Sequence, residues 1–178
     1  KKPQIPSGAI RLPIRPPASA IASTAKNAYL SRRKKPATRR RCALTCRGEL
    51  RAHVPEALAI ARDCGCARLN LLVGQRLRGY SRGQQLACAQ DNVAWAADRA
   101  AAAGCEVTIE ALSPATSGDC LLTTTAAAAA FIAGTGRGNV RLQYDAFHMQ
   151  QTEGNLTATI DAHIAQHPLD RMVVDVAR

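Results

Sequence analysis

Two carboxylates and an imidazole carry the densest chemistry in this 178-residue chain: Glu110 near the end of one apolar run, Asp145 near the end of the next, and His148 just beyond it. A carboxylate late in a buried strand is costly unless it is paired. Two of them on successive strands suit a shared cation, and hard oxygen donors fit Mg, Mn or a similar divalent ion better than a thiolate metal. The same spacing fits a blander use, in which each carboxylate caps a helix or binds an arginine. Spacing alone leaves both open.

The elements that must position these residues repeat in a helix-then-strand order. Residues 55–64 form a helix with Pro55 in its first turn and Leu58 and Ala61 on one face. The apolar run 67–73, closed by Gly74, reads as a strand buried on both faces. Ser81 caps a long helix to Ala103, with Leu86, Ala89, Val93, Ala97 and Ala100 spaced three or four apart and Gly104 stopping it. A strand follows over 105–112, then an alanine-rich helix over 123–133 and a strand over 139–146. Residues 155–166 place Leu156, Ile160 and Ile164 on one helical face, and 172–176 form a last apolar stretch. This alternation implies a parallel sheet with right-handed crossovers, either doubly wound or part of a barrel. Polar residues recurring on successive strands (Asn70, Glu110, Asp145) favour the barrel, whose chemistry gathers at strand C-termini.

The strings Ile109-Glu110-Ala111-Leu112-Ser113-Pro114, Leu142-Gln143-Tyr144-Asp145-Ala146-Phe147-His148-Met149-Gln150 and Glu153-Gly154-Asn155-Leu156 resemble the hydroxypyruvate isomerase family of xylose-isomerase-like barrels. The likeness runs from about Arg47 to Gln166. It implies a metal-assisted aldose-ketose isomerase acting on a small hydroxy-oxo acid, turning hydroxypyruvate into tartronate semialdehyde through an enediol. By the match, Glu110 is a metal ligand and acid or base, Asp145 a metal ligand, and His148 a hydrogen-bonding partner of the substrate oxygens. Asn70 and Gly74 are expected at the rim of the same pocket. The family takes a third ligand, Gln or His, from the next strand and a second Glu from the last. Here Val173 and Val174 stand where the third is expected. Such a barrel needs about 250 residues. The expected fold is therefore α/β, a partial (β/α) TIM-type barrel of about four of eight parallel strands with outer helices, over residues 47–178. An open half-barrel exposes strand edges, so pairing with another copy of the chain, or aggregation, is expected. A truncated remnant without activity is the alternative to the enzyme.

Residues 1–46 are a different kind of sequence, expected to be a disordered basic leader. The first 41 residues hold 12 of the 24 Lys and Arg, no acid and 6 of the 9 prolines, whereas 53–178 carry 10 basic and 12 acidic residues. The formal charge of +11 thus belongs to the front segment. Arg32, Arg33, Lys34, Lys35, Arg39, Arg40 and Arg41 could grip phosphates non-specifically, the one route to nucleic acid. A solvated extension and a transit peptide are the other readings. Aromatic residues make up only 3%, too few for base-stacking platforms, and no apolar run approaches 18 residues, which excludes an ordinary membrane span.

The remaining motifs carry little. Seven cysteines without a paired C-x-x-C framework read as buried reduced thiols in a cytoplasmic protein, with Cys64-Gly-Cys66 a weak soft-metal signal. His163 and His167 are an i, i+4 pair lacking the general-base Glu of a zinc helix, and read as a solvated face. The glycines of 134–138 follow a helix instead of opening one, so they read as a helix-stop turn. Trp95 and Phe131 read as core.

Overall fold

The computed structural model describes residues 47–166 and 172–175. The basic leader, Cys42, Cys46 and His167 lie outside the described residues. The element order is α1 (Arg47–Asp63), β1 (Arg68–Leu71), α2 (Arg82–Ala102), β2 (Glu106–Glu110), α3 (Pro114–Ser117), α4 (Thr125–Gly134), β3 (Val140–Asp145), α5 (Ala146–Thr152), α6 (Leu156–Gln166) and β4 (Met172–Asp175). All strand pairs are parallel and the strands lie in the order β1-β2-β3-β4. A doubly wound sheet reverses its strand order at a switch point; this one advances by one strand per crossover, as a barrel does. The alternation of side chains then assigns one face to the helices and the other to the barrel interior.

The helix-facing side is apolar. Val107 and Ile109 of β2 and Val140, Leu142 and Tyr144 of β3 are buried in one cluster with Val54 and Leu58 of α1, Ala89, Val93, Ala97 and Ala100 of α2, and Phe131 of α4. The predicted stripe of α2 is this contact, with Leu86 packed at its margin. Ser81 caps α2 in a reciprocal box: its hydroxyl accepts from Gln84 N, and the Gln84 side chain accepts from Ser81 N. Gly104, at φ +70°, ends the helix as expected. Glu153 ties the C-terminal end of α5 to the start of α4, its two oxygens accepting from Thr125 N and Thr125 Oγ1, each at 2.7 Å.

Several expectations are corrected. Pro55 lies inside a 17-residue helix and not in its first turn. Burial of Val54, Leu58 and Ala61 against α2 and the sheet outweighs the hydrogen bond a proline forfeits. β1 is shorter than the apolar run and not buried on both faces, because among the described residues it is the first strand of the sheet and pairs with β2 alone. Trp95 is only partly buried, with the guanidinium groups of Arg51 and Arg99 at 5.2 and 5.5 Å from its ring centre. Among the described cysteines, Cys64 is exposed, Cys66 and Cys88 are half-buried, and Cys105 and Cys120 fit the expected burial. His163 is half-buried instead of solvated. No helix among the described residues is long and apolar enough to cross a membrane.

Candidate metal centre

The interior face of β1, β2 and β3 is polar along its length, and the layers differ in chemistry. At the N-terminal ends of the strands, Glu106 of β2 sits between Arg68 of β1 and Arg141 of β3, at 3.0 and 2.8 Å. Burial works against ionising Glu106, but the hydrogen bonds and charges of Arg141 and Arg68 outweigh it and hold the carboxyl below the usual glutamate range. One layer up, Thr108 Oγ1 donates to Gln143 Oε1 at 3.0 Å. At the C-terminal ends stand Glu110 and Asp145.

Asp145 is the last residue of β3 and the N-cap of α5, its Oδ1 accepting from Phe147 N at 2.9 Å and His148 N at 3.2 Å. The cap starts a helix directly on the strand end, and this first turn brings His148 back over the sheet. His148 Nε2 lies 3.8 Å from Glu110 Oε1, and Thr116 Oγ1 lies 3.5 Å from its Nδ1. The other oxygen of Glu110, Oε2, accepts from Asn70 Nδ2 at 2.6 Å. One ligand atom each of Glu110, Asp145 and His148 lies within 4.8 Å of the others, and both carboxylates are buried.

This donor set fits a divalent cation. Oxygen and nitrogen donors bonded at 2.0–2.6 Å to one ion stand about 3–5 Å from one another. Two buried carboxylates this close repel unless positive charge lies between them. Glu110, Asp145 and His148, singled out from sequence, thus meet in one place, and Asn70 joins them through Glu110. Gly74 does not join that trio; at φ +99° it turns the chain after β1, and its carbonyl accepts from Leu121 N at 3.0 Å. Val173 pairs with Gln143 and Val174 with Tyr144, and the same register sets Asp175 beside Asp145. Thr116 escaped the sequence reading, although Ser113-Pro114 is an N-cap followed by a first-turn proline, the ordinary opening of the short helix that carries it. A groove of about 290 Å³ between Ile132 of α4 and Leu142 of β3 opens on the helix-facing side, away from these groups.

Residues 45–174 match the family described as the xylose isomerase-like TIM barrel. Hydroxypyruvate isomerase of Escherichia coli (strain K12) is 34% identical over 112 residues, which are 63% of this chain and 43% of that protein. The chain spans about 43% of the length of the curated relatives it matches. The crystal structure of an AP endonuclease, family 2, from Brucella melitensis superposes with a TM-score of 0.71 at 23% identity, covering 90% of this chain and 64% of that one. The structure of an L-ribulose 3-epimerase superposes with a TM-score of 0.61 at 25% identity, covering 74% and 43%. Strand order, outer helices and the match across most of the chain agree: this chain belongs to the xylose isomerase-like TIM barrel family.

Proposed function

We propose that the chain holds a divalent cation, Mg or Mn, and moves a proton between neighbouring carbons of a small hydroxy-oxo acid, hydroxypyruvate being the substrate class the E. coli relative suggests. The observation that supports this reading is the convergence of Glu110, Asp145 and His148 within 4.8 Å at the strand C-termini. Glu110 and Asp145 would hold the cation, with His148 beside them. Such an ion, when bound, polarises carbonyl and hydroxyl oxygens of the substrate. Glu110 takes the proton from the hydroxyl-bearing carbon and returns it to the carbon that carried the carbonyl, so an aldehyde replaces a ketone with no net loss of atoms. His148 hydrogen-bonds the two oxygens whose proton changes place. Burial of Glu110 keeps the transferred proton from bulk water.

The test is calorimetric titration of Mg or Mn into the 178-residue chain and into Asp145→Asn, followed by turnover of hydroxypyruvate by wild type and Glu110→Gln. Stoichiometric binding that Asp145→Asn loses, with turnover that Glu110→Gln abolishes, supports the proposal. A folded chain that binds neither ion would instead keep the family's sequence without its chemistry.

A further inference from the structure

Among the polar atoms around the carboxylates, Asn70 Oδ1 stands apart: it is buried and has no hydrogen-bond partner. Its amide is engaged on one side only: Nδ2 donates to Glu110 Oε2 at 2.6 Å. The carbonyl side is then left over. Bond lengths within the amide put Oδ1 about 2.2 Å from Nδ2, hence no more than about 5 Å from the Glu110 carboxylate. A buried acceptor without a donor is disfavoured, and native sites keep one chiefly where something else supplies the donor.

We infer that Asn70 is a specificity-determining residue whose Oδ1 accepts the hydroxyl proton of a bound hydroxy-oxo ligand. The inference rests on the proposed isomerase reading for the ligand class, and on the orphaned acceptor for the contact itself. The same side chain then performs two tasks. Its amide N–H holds one oxygen of Glu110, which leaves Oε1 turned to His148; its carbonyl reads a hydroxyl on the carbon that Glu110 deprotonates. A ligand with a methyl or hydrogen in place of that hydroxyl leaves Oδ1 buried and unpaired, and such sites reject the lacking analogue more strongly than a merely apolar pocket would. A cation does not provide this reading, since it binds an oxygen whether or not that oxygen bears a proton.

Hydroxypyruvate and pyruvate, which differ by that one hydroxyl, are the probes. Their affinities for the full chain with Mg present are measured by ligand-observed NMR competition, in wild type, Asn70→Ala and Asn70→Asp. Wild type is expected to prefer hydroxypyruvate by tenfold or more. Asn70→Ala should lower that ratio about tenfold. Asn70→Asp keeps the acceptor and loses the N–H to Glu110, so both affinities fall while the ratio persists. A residue that only positioned Glu110 would weaken both ligands together in Asn70→Ala and leave the ratio intact, which overturns the inference; so does a wild type that fails to favour hydroxypyruvate, or that binds neither acid. Preference for hydroxypyruvate without turnover would sink the isomerase reading and leave the role of Asn70 standing. Turnover with a ratio insensitive to Asn70 would do the reverse.

Discussion

Asp145 answers two demands with one side chain: Oδ1 starts α5, and the second oxygen remains outside the cap. Asparagine caps a helix about as well as aspartate but brings no charge. Asp145→Asn should therefore change unfolding free energy by less than about 0.5 kcal/mol while weakening Mg or Mn binding by at least tenfold, a separation that melting curves and calorimetry read side by side. At the opposite ends of the strands Glu106 gives a pH prediction. Its folded carboxyl ionises below the ordinary glutamate value, so its bonds to Arg141 and Arg68 contribute fully above that value. The contribution, about 1 kcal/mol given the partial exposure of Arg68, is lost as pH falls below about 4. Glu106→Gln should flatten stability against pH in that acid window and leave the neutral-to-basic limb parallel to wild type. Among the thiols, burial first and the neighbouring Cys66 second push Cys105 up. Alkylation followed by mass spectrometry should find exposed Cys64 modified before buried Cys105. Glu110, Asp145 and His148 were legible in the sequence because their types and their places near strand ends are local facts. The Asn70–Glu110 and Arg68–Glu106–Arg141 contacts were not, because they follow from strand register.

The long elements were equally readable, and for a local reason. α2 announces itself by Ser81, by its apolar spacing and by Gly104, and the observed boundaries fall within a residue of those signals. Ser81→Ala removes one half of the capping box and should lower stability by about 1 kcal/mol, measured by denaturant titration. The short helices were harder. α5 begins on the residue immediately after the end of β3, so no loop composition separates them, and α3 has four residues, too few for any periodicity. Pro55 misled for the opposite reason: a strong local signal was overruled by packing of the residues on either side of it. β1 shows the same limit, since an apolar run reads alike whether one strand or two flank it.

The four strands place every acidic or imidazole group of the candidate centre at one end of a single parallel sheet. A ligand that binds the folded chain and not the unfolded one stabilises it by mass action, about 2.7 kcal/mol at a hundredfold excess over Kd. Millimolar Mg or Mn should accordingly raise the melting temperature by several degrees, EDTA should reverse the gain, and Asp145→Asn should show neither response. Fold class was legible at this scale because helix and strand alternate in sequence; the strand order that separates a barrel from a doubly wound sheet became visible only in space. That order also bears on how the chain is made. Side-chain hydrogen bonds between neighbouring strands join residues 35 to 40 positions apart, so each strand closes a loop of similar length onto the one translated just before it. Ribosomal emergence and sheet assembly can therefore run in the same direction across β1 to β4, with none of these four strands obliged to wait for a distant partner.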